Sequence, residues 1–245
     1  AMISSGLFVL PGLAYVLAGP GIVVSYLLAG LLALAGMLSE SELVSAMPKA
    51  GGGYFYVTRS MGPAVGTMNG LCTWLALCLK STFALVGIAA FAGPLLRFAS
   101  PEVVAAMVCV VFVAINLLGA KEAGSVQIAL VVGLLALLGI YVVMGFPAVD
   151  VHRFQPFAPK GWRGVLSLAG FVFVSYGGLI KISSVAEEVK RPARTVPSAM
   201  IASLVVVTLL YTLVVFVTIG VGVLDAGTME SYTRTPITDG AQAFL

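Results

Sequence analysis

Two stretches of this chain set small polar residues and glycine inside apolar runs: Ser4-Ser5-Gly6 near the start and Ser175-Tyr176-Gly177-Gly178 much further along. Glycine weakens a helix, and a backbone amide or carbonyl released in an apolar medium is costly unless protein, water or a ligand satisfies it. Such interruptions are tolerated where something polar binds. Half-helix amino termini face an anionic group, while half-helix carboxyl termini and unwound carbonyls face a cation. A zwitterion carries both. Two lysines add charge to the same kind of surroundings, Lys80 within an apolar run and Lys181 just past the second interruption. Each costs about 2.5–3.5 kcal/mol at a helix centre on insertion scales, and such residues serve ion pathways, proton relays or internal pairing. Glu187 and Glu188, with Lys190, Arg191 and Arg194, read as a gate of ion pairs that break and re-form, or more plainly as solvated charges ending a helix.

The plain alternatives apply to the other features too. Glycine and serine also line close helix contacts in membranes, and a buried lysine can snorkel or pair permanently with carbonyls. The matched positions of the two interruptions favour the binding reading.

Composition identifies the medium. Of the 245 residues, 60% are hydrophobic and 9% charged, against about a quarter charged in soluble domains. This is an integral membrane chain. Its net charge of +3 is small and its basic residues lie at span ends and in loops, which argues against nucleic acid as a partner. Cys72, Cys78 and Cys109 sit in apolar runs without metal-ligand spacing and read as small hydrophobes. His152 is the single histidine and falls in a loop, so neither a histidine-based metal site nor most acid–base constellations are expected. No cofactor is expected. Gly51-Gly52-Gly53 reads as a tight turn after Pro48, since no Gly-Lys-Ser/Thr follows to make a phosphate cradle. Trp74 reads as packing, with substrate contact as the alternative. Glu40 and Glu42 read as interfacial.

About 20 predominantly apolar residues cross a bilayer as a helix. Seven segments qualify: 1–17, 21–46, 65–96, 103–118, 124–146, 164–189 and 197–224. All must be helical, because lipid satisfies no backbone groups. Short loops separate them, apart from 147–163 and a polar tail after Leu224. Placing the loops after spans two, four and six on one side gives Lys49, Arg59, Lys121, Lys190, Arg191 and Arg194, against Arg97, Arg153, Lys160, Arg163 and Arg234 on the other. That imbalance is a weak positive-inside signal. Five spans separate the start of one interrupted helix from the start of the other. An inverted repeat of five helices, each half opening with a discontinuous helix, predicts that spacing and places the substrate between the two breaks near the midplane.

Three segments carry a resemblance: "MISSGLFVLPG" (Met2 to Gly12), "MPKAGGGYFYVTRSMGP" (Met47 to Pro63) and "SYGGLIKISSVAEEVKRPARTVP" (Ser175 to Pro197). They resemble amino-acid permeases of the amino acid-polyamine-organocation (APC) superfamily, and the likeness covers essentially the whole chain. The third segment is the most specific. Tyr176, Gly178, Ala186, Glu187, Glu188, Val189, Lys190, Pro192, Arg194 and Pro197 match the family pattern, with Arg191 in place of the usual asparagine.

The resemblance implies an all-α, leucine-transporter-like fold with a five-plus-five inverted repeat, incomplete here. The first repeat is expected at 1–146, an extracellular loop at 147–163 and the start of the second repeat at 164–245. The loops after helices two, four and six are expected to be cytoplasmic, in a cell membrane. The backbone amides of Ser4, Ser5 and Gly6 would hold a substrate carboxylate. The carbonyls of Val174, Ser175, Tyr176, Gly177 and Gly178 would receive its ammonium. Ser4 stands where glycine is usual, and Val174 and Leu179 stand where aromatic residues often gate the site. Ile180 occupies a position that is acidic in carriers of cationic amino acids, which argues for a neutral substrate.

Some proton-coupled relatives place a lysine on the fifth helix, whereas 123–149 holds no lysine or arginine here. Lys80 or Lys181 is therefore expected to supply the titrating group in place of bound sodium, since burial disfavours the charged amine. The expected function is secondary active transport of amino acids, coupled to protons, or alternatively to sodium, and selective for neutral side chains. The alternative is a non-transporting permease-like sensor or accessory subunit. A membrane enzyme would need a midplane cluster of acids, histidines or a nucleophile–base pair, which the sequence lacks. Helices eight to ten of the expected fold would lie beyond Leu245, so the chain reads as part of a longer carrier.

Overall fold

A computed structural model describes residues 5–8, 10–49, 51–92, 100–118, 120–178, 182–183, 186–187, 189–222, 224, 237 and 240–241. Among these residues the chain is helical throughout, without strands. In chain order the helices are α1 (Ser5–Phe8), α2 (Leu10–Ala18), α3 (Ile22–Ala46), α4 (Gly52–Met61), α5 (Pro63–Ala92), α6 (Pro101–Leu118), α7 (Ala120–Gly145), α8 (Gly161–Phe173) and α9 (Pro192–Val221). Among the described residues three stretches are long and apolar enough to cross a membrane: Leu10–Ala46, which contains α2 and α3, Gly124–Ala148 and Pro192–Val221. Glu102–Leu117 is a shorter apolar helix. Helix thus occupies each of the seven segments marked by the sequence, but not every one reaches spanning length among the described residues. The sixth falls short because its α-helix stops at Phe173.

The packing centre is the pair α3 and α9, with α8 against α3. The chain Ile22, Tyr26, Ala29, Ala33, Met37 and Val44 of α3 is buried at three-, four- and seven-residue steps, and Val196, Met200, Leu204, Val207, Tyr211 and Val214 do the same on α9. On α3 this is a stripe of one face, whereas α9 widens from such a stripe to burial on all sides between Val214 and Gly220. The opposite faces expose Leu27, Leu31, Leu32, Leu38, Val205 and Leu209, as helices facing lipid do. The close approach needs a small residue: a Cβ on Gly30 would lie 2.5 Å from Thr208 Oγ1. Around this centre α7 packs on α9, α6 on α7, α5 on α6 and α4 on α5, while α2 lies on α8.

Three features correct the sequence reading of the loops. First, the stretch 48–62 contains α4, too short for a span rule to find. Gly51 makes the expected tight turn, with φ of 112° at the N-cap of α4, a value that glycine adopts freely. Second, α9 begins at Pro192 and not at Pro197. Proline suits the first turn of a helix, where its missing N–H is not needed. Pro197 cannot donate to the carbonyl of Ala193 four residues back, and Ser45 Oγ donates to that oxygen at 3.2 Å. Third, Ser5 and Gly6 form a helical turn in α1 where an unwound segment was expected; Ser4 lies outside the described residues.

The two ends of the bundle are distinct. At one end the C-terminus of α3, α4 and the segment before α9 meet, through Ser45 to Ala193 and Lys49 Nζ to Glu187 Oε1 at 3.4 Å. At the other, Lys160 Nζ donates to the carbonyl of Val16 at 2.8 Å, near the end of α2. There the Asp150 N–H donates to Gly220 O at 3.0 Å, and Phe154 stacks on Phe216 at 4.9 Å. The loop 147–163 and the loop after span two therefore lie at opposite ends.

Candidate functional site

The sequence of α8 is apolar up to Phe173, after which the helix tightens into a 3₁₀ turn at Val174–Tyr176. The chain then turns at Gly177 and Gly178, and among the described residues no α-helix reappears before Pro192. The expected interruption of the sixth span is present. Within it the Gly177 N–H donates to Val174 O at 3.2 Å, so that carbonyl is partly satisfied by the turn itself. Ser175, Tyr176 and Gly178 are buried, whereas Val174 and Gly177 are exposed.

The two sequence-marked segments meet. A Cβ built on Gly6 would overlap Cβ and Oγ of Ser175, so only glycine lets α1 and the 3₁₀ turn approach this closely. Behind the contact stand three buried tyrosines that the sequence reading did not single out as a group. Tyr26 on α3 donates its hydroxyl to Gly6 O at 2.7 Å. Tyr176 donates its hydroxyl to Tyr26 O at 3.0 Å. Tyr211 on α9 sets its ring edge-on to Tyr26, with centroids 5.8 Å apart, and tilted against Tyr176 at 5.5 Å. The signal that would have found Tyr26 and Tyr211 is a phenol inside an apolar span, since a buried Tyr O–H normally takes a partner.

The remaining expected site residues are placed as follows. Lys80 is partly buried on α5, a helix that also reaches α1. Leu179, Ile180, Lys181 and Glu188 lie outside the described residues. Glu187 is exposed, as a solvated charge would be, and pairs with Lys49. Lys49 comes from the second sequence motif, so a pairing between motifs two and three was available to see. Arg194 is exposed in the first turns of α9. Trp74 is exposed on α5, so it does not pack inside the bundle as expected.

At the α4 end, a cavity of about 270 Å³ is lined by Leu43, Met47, Tyr56, Val57, Arg59 and Ser60, none of them expected site residues. Beside it Tyr56 is held above its ordinary pKa, first by burial and second by the Glu40 carboxylate. Glu40 Oε1 is buried without a hydrogen-bond partner among the described residues.

Fold and site define a multi-pass helical membrane protein in which a broken helix packs its polar turn against a glycine of a second helix. The amino acid permease family model matches residues 1–241, and the chain belongs to that family, within the APC superfamily. It is 31% identical over 241 residues to the branched-chain amino acid permease BcaP of Bacillus subtilis, covering 90% of this chain and 52% of that protein. Identity to BcaP of Lactococcus lactis is 29%, over 89% of this chain and 53% of the relative. With cationic amino acid transporter 1 of Arabidopsis thaliana it is 27%, over 87% and 39%. The chain spans about half the length or less of these curated relatives.

Proposed function

We propose that the chain is the substrate-binding portion of a secondary active transporter that moves amino acids across a membrane by alternating access. The observation that carries this reading is the contact of Gly6 with Ser175, where a helix terminus and a broken helix meet in a buried, hydrogen-bonded setting. The α-amino acid carboxylate is held by amides of Ser4, Ser5 and Gly6, and the ammonium by carbonyls of Ser175 to Gly178. These two segments open the two halves of an inverted repeat, at 1–146 and 164–245, joined by the extracellular segment 147–163. The end carrying Lys49 and Glu187 is cytoplasmic, in a cell membrane.

A neutral, branched side chain is favoured. Ile180 leaves no counter-ion for a cationic substrate, and two of the relatives are named branched-chain permeases. The coupling ion is a proton, carried by Lys80 or Lys181, and no resident cofactor is needed. Uptake of labelled leucine by the complete carrier in proteoliposomes, with and without an inward proton gradient, tests the reading. Gradient-driven accumulation of leucine but not arginine is expected. Accumulation of arginine alone would overturn the substrate class, and binding without accumulation would support a sensor instead. Replacing each of Lys80 and Lys181 by methionine and repeating uptake against pH tests the coupling. Wild-type pH dependence in both variants would remove these lysines from it.

A further inference from the structure

We propose that Tyr26 is a positioning residue that locks the first-helix turn and the broken sixth helix into one unit, so that both halves of the substrate cradle are set by a single residue on α3, one through its hydroxyl and the other through its backbone carbonyl. The inference rests on the binding reading above and adds a residue that neither motif contains. Its basis is a continuous buried chain. The hydroxyl of Tyr26 donates to Gly6 O at 2.7 Å, and the backbone carbonyl of the same Tyr26 accepts from the Tyr176 hydroxyl at 3.0 Å. Tyr26 is 0% exposed and Tyr176 1% exposed, so no water competes for either bond.

The geometry has two consequences. The α1 turn cannot shift relative to the 3₁₀ turn of Val174–Tyr176 without breaking one of these bonds, because both end on the same residue. Tyr211, itself fully buried, packs against both phenol rings and keeps them from rotating out of line. In addition, a lone pair of the Gly6 carbonyl is committed to Tyr26. That directs the substrate ammonium to the Ser175–Gly178 side and leaves the α1 turn to act through its amides.

Removing the hydroxyl alone unlocks the turn while keeping the ring. In the complete carrier, Tyr26→Phe is expected to raise the half-saturating leucine concentration about tenfold, the loss of roughly one buried hydrogen bond, with maximal uptake reduced less. Tyr141→Phe is the control. It deletes a comparably buried bond, to Thr218 Oγ1 at 2.8 Å, on the α7–α9 contact away from Gly6, and should leave half-saturation unchanged at similar thermal stability.

A second measurement uses the unaltered carrier. Hydrogen exchange of peptides covering 5–10 and 174–178 should slow together as leucine is titrated, at one midpoint. Unchanged half-saturation in Tyr26→Phe, an equal rise in Tyr141→Phe, or independent protection of the two peptides would each overturn the proposal. If the unaltered carrier neither binds nor transports leucine, the transport reading fails instead, and the two failures are told apart.

Discussion

The buried tyrosine centre and the charged end of the bundle hold the third sequence motif in different ways, the one against the first motif and the other against the second. Around Gly6 and Ser175 the contacts are backbone-directed, uncharged and sealed: a phenol on a carbonyl, a glycine on a serine, one ring against two others. At the α4 end, Lys49 and Glu187 meet at 3.4 Å with side chains 65% and 45% exposed. A sealed hydrogen bond loses its partner to nothing when cut, whereas an exposed ion pair exchanges its partner for water. The site is therefore rigid where substrate would bind and soft where a gate would have to open.

Breaking the sealed region should have the largest effect. Gly6→Val drives a branched side chain into Ser175, and leucine uptake by the complete carrier should fall to background, with a lowered melting temperature in detergent. Gly30→Leu comes next. It forces α3 away from Thr208 on α9, and overpacking of about 1–3 kcal/mol should appear as reduced thermal stability.

At the charged end, Glu187→Gln should alter stability by no more than about 1 kcal/mol, the ordinary worth of an exposed pair. A change in uptake rate without a change in melting would then mark Glu187 as part of a gate. A smaller effect is expected at Tyr56. Because its folded-state pKa is raised above 10.0, the stability tied to its protonated form is complete below that pH and is lost as pH rises through the raised value. Tyr56→Phe should flatten this alkaline loss in a melting series. An alkaline limb identical to that of the unaltered protein would count against the assigned shift.

Much of the helical layout was legible because a 25-residue apolar run such as Ile22–Ala46 has no other stable form in lipid. The facing of each helix was not. When Tyr26 and Leu27 are both apolar enough for lipid, hydropathy cannot say that the first is sealed and the second 44% exposed; only the packing partner decides. The break in the sixth span was visible in Ser175 to Gly178, while α4 escaped because ten amphipathic residues satisfy no span rule. The start of α9 was misplaced because Pro197 looks like an N-terminal proline, yet Ser45, distant in sequence, serves the carbonyl it leaves free.

Labelling at the broken helix tests most directly that the Gly6–Ser175 contact is where substrate sits. In a complete carrier with Cys72, Cys78 and Cys109 replaced by serine, Gly177→Cys places a thiol on an exposed residue of the turn. Leucine should protect it from a membrane-permeant maleimide, with half-protection at the same concentration that half-saturates uptake. Labelling that ignores leucine in a carrier still able to transport it would contradict the account.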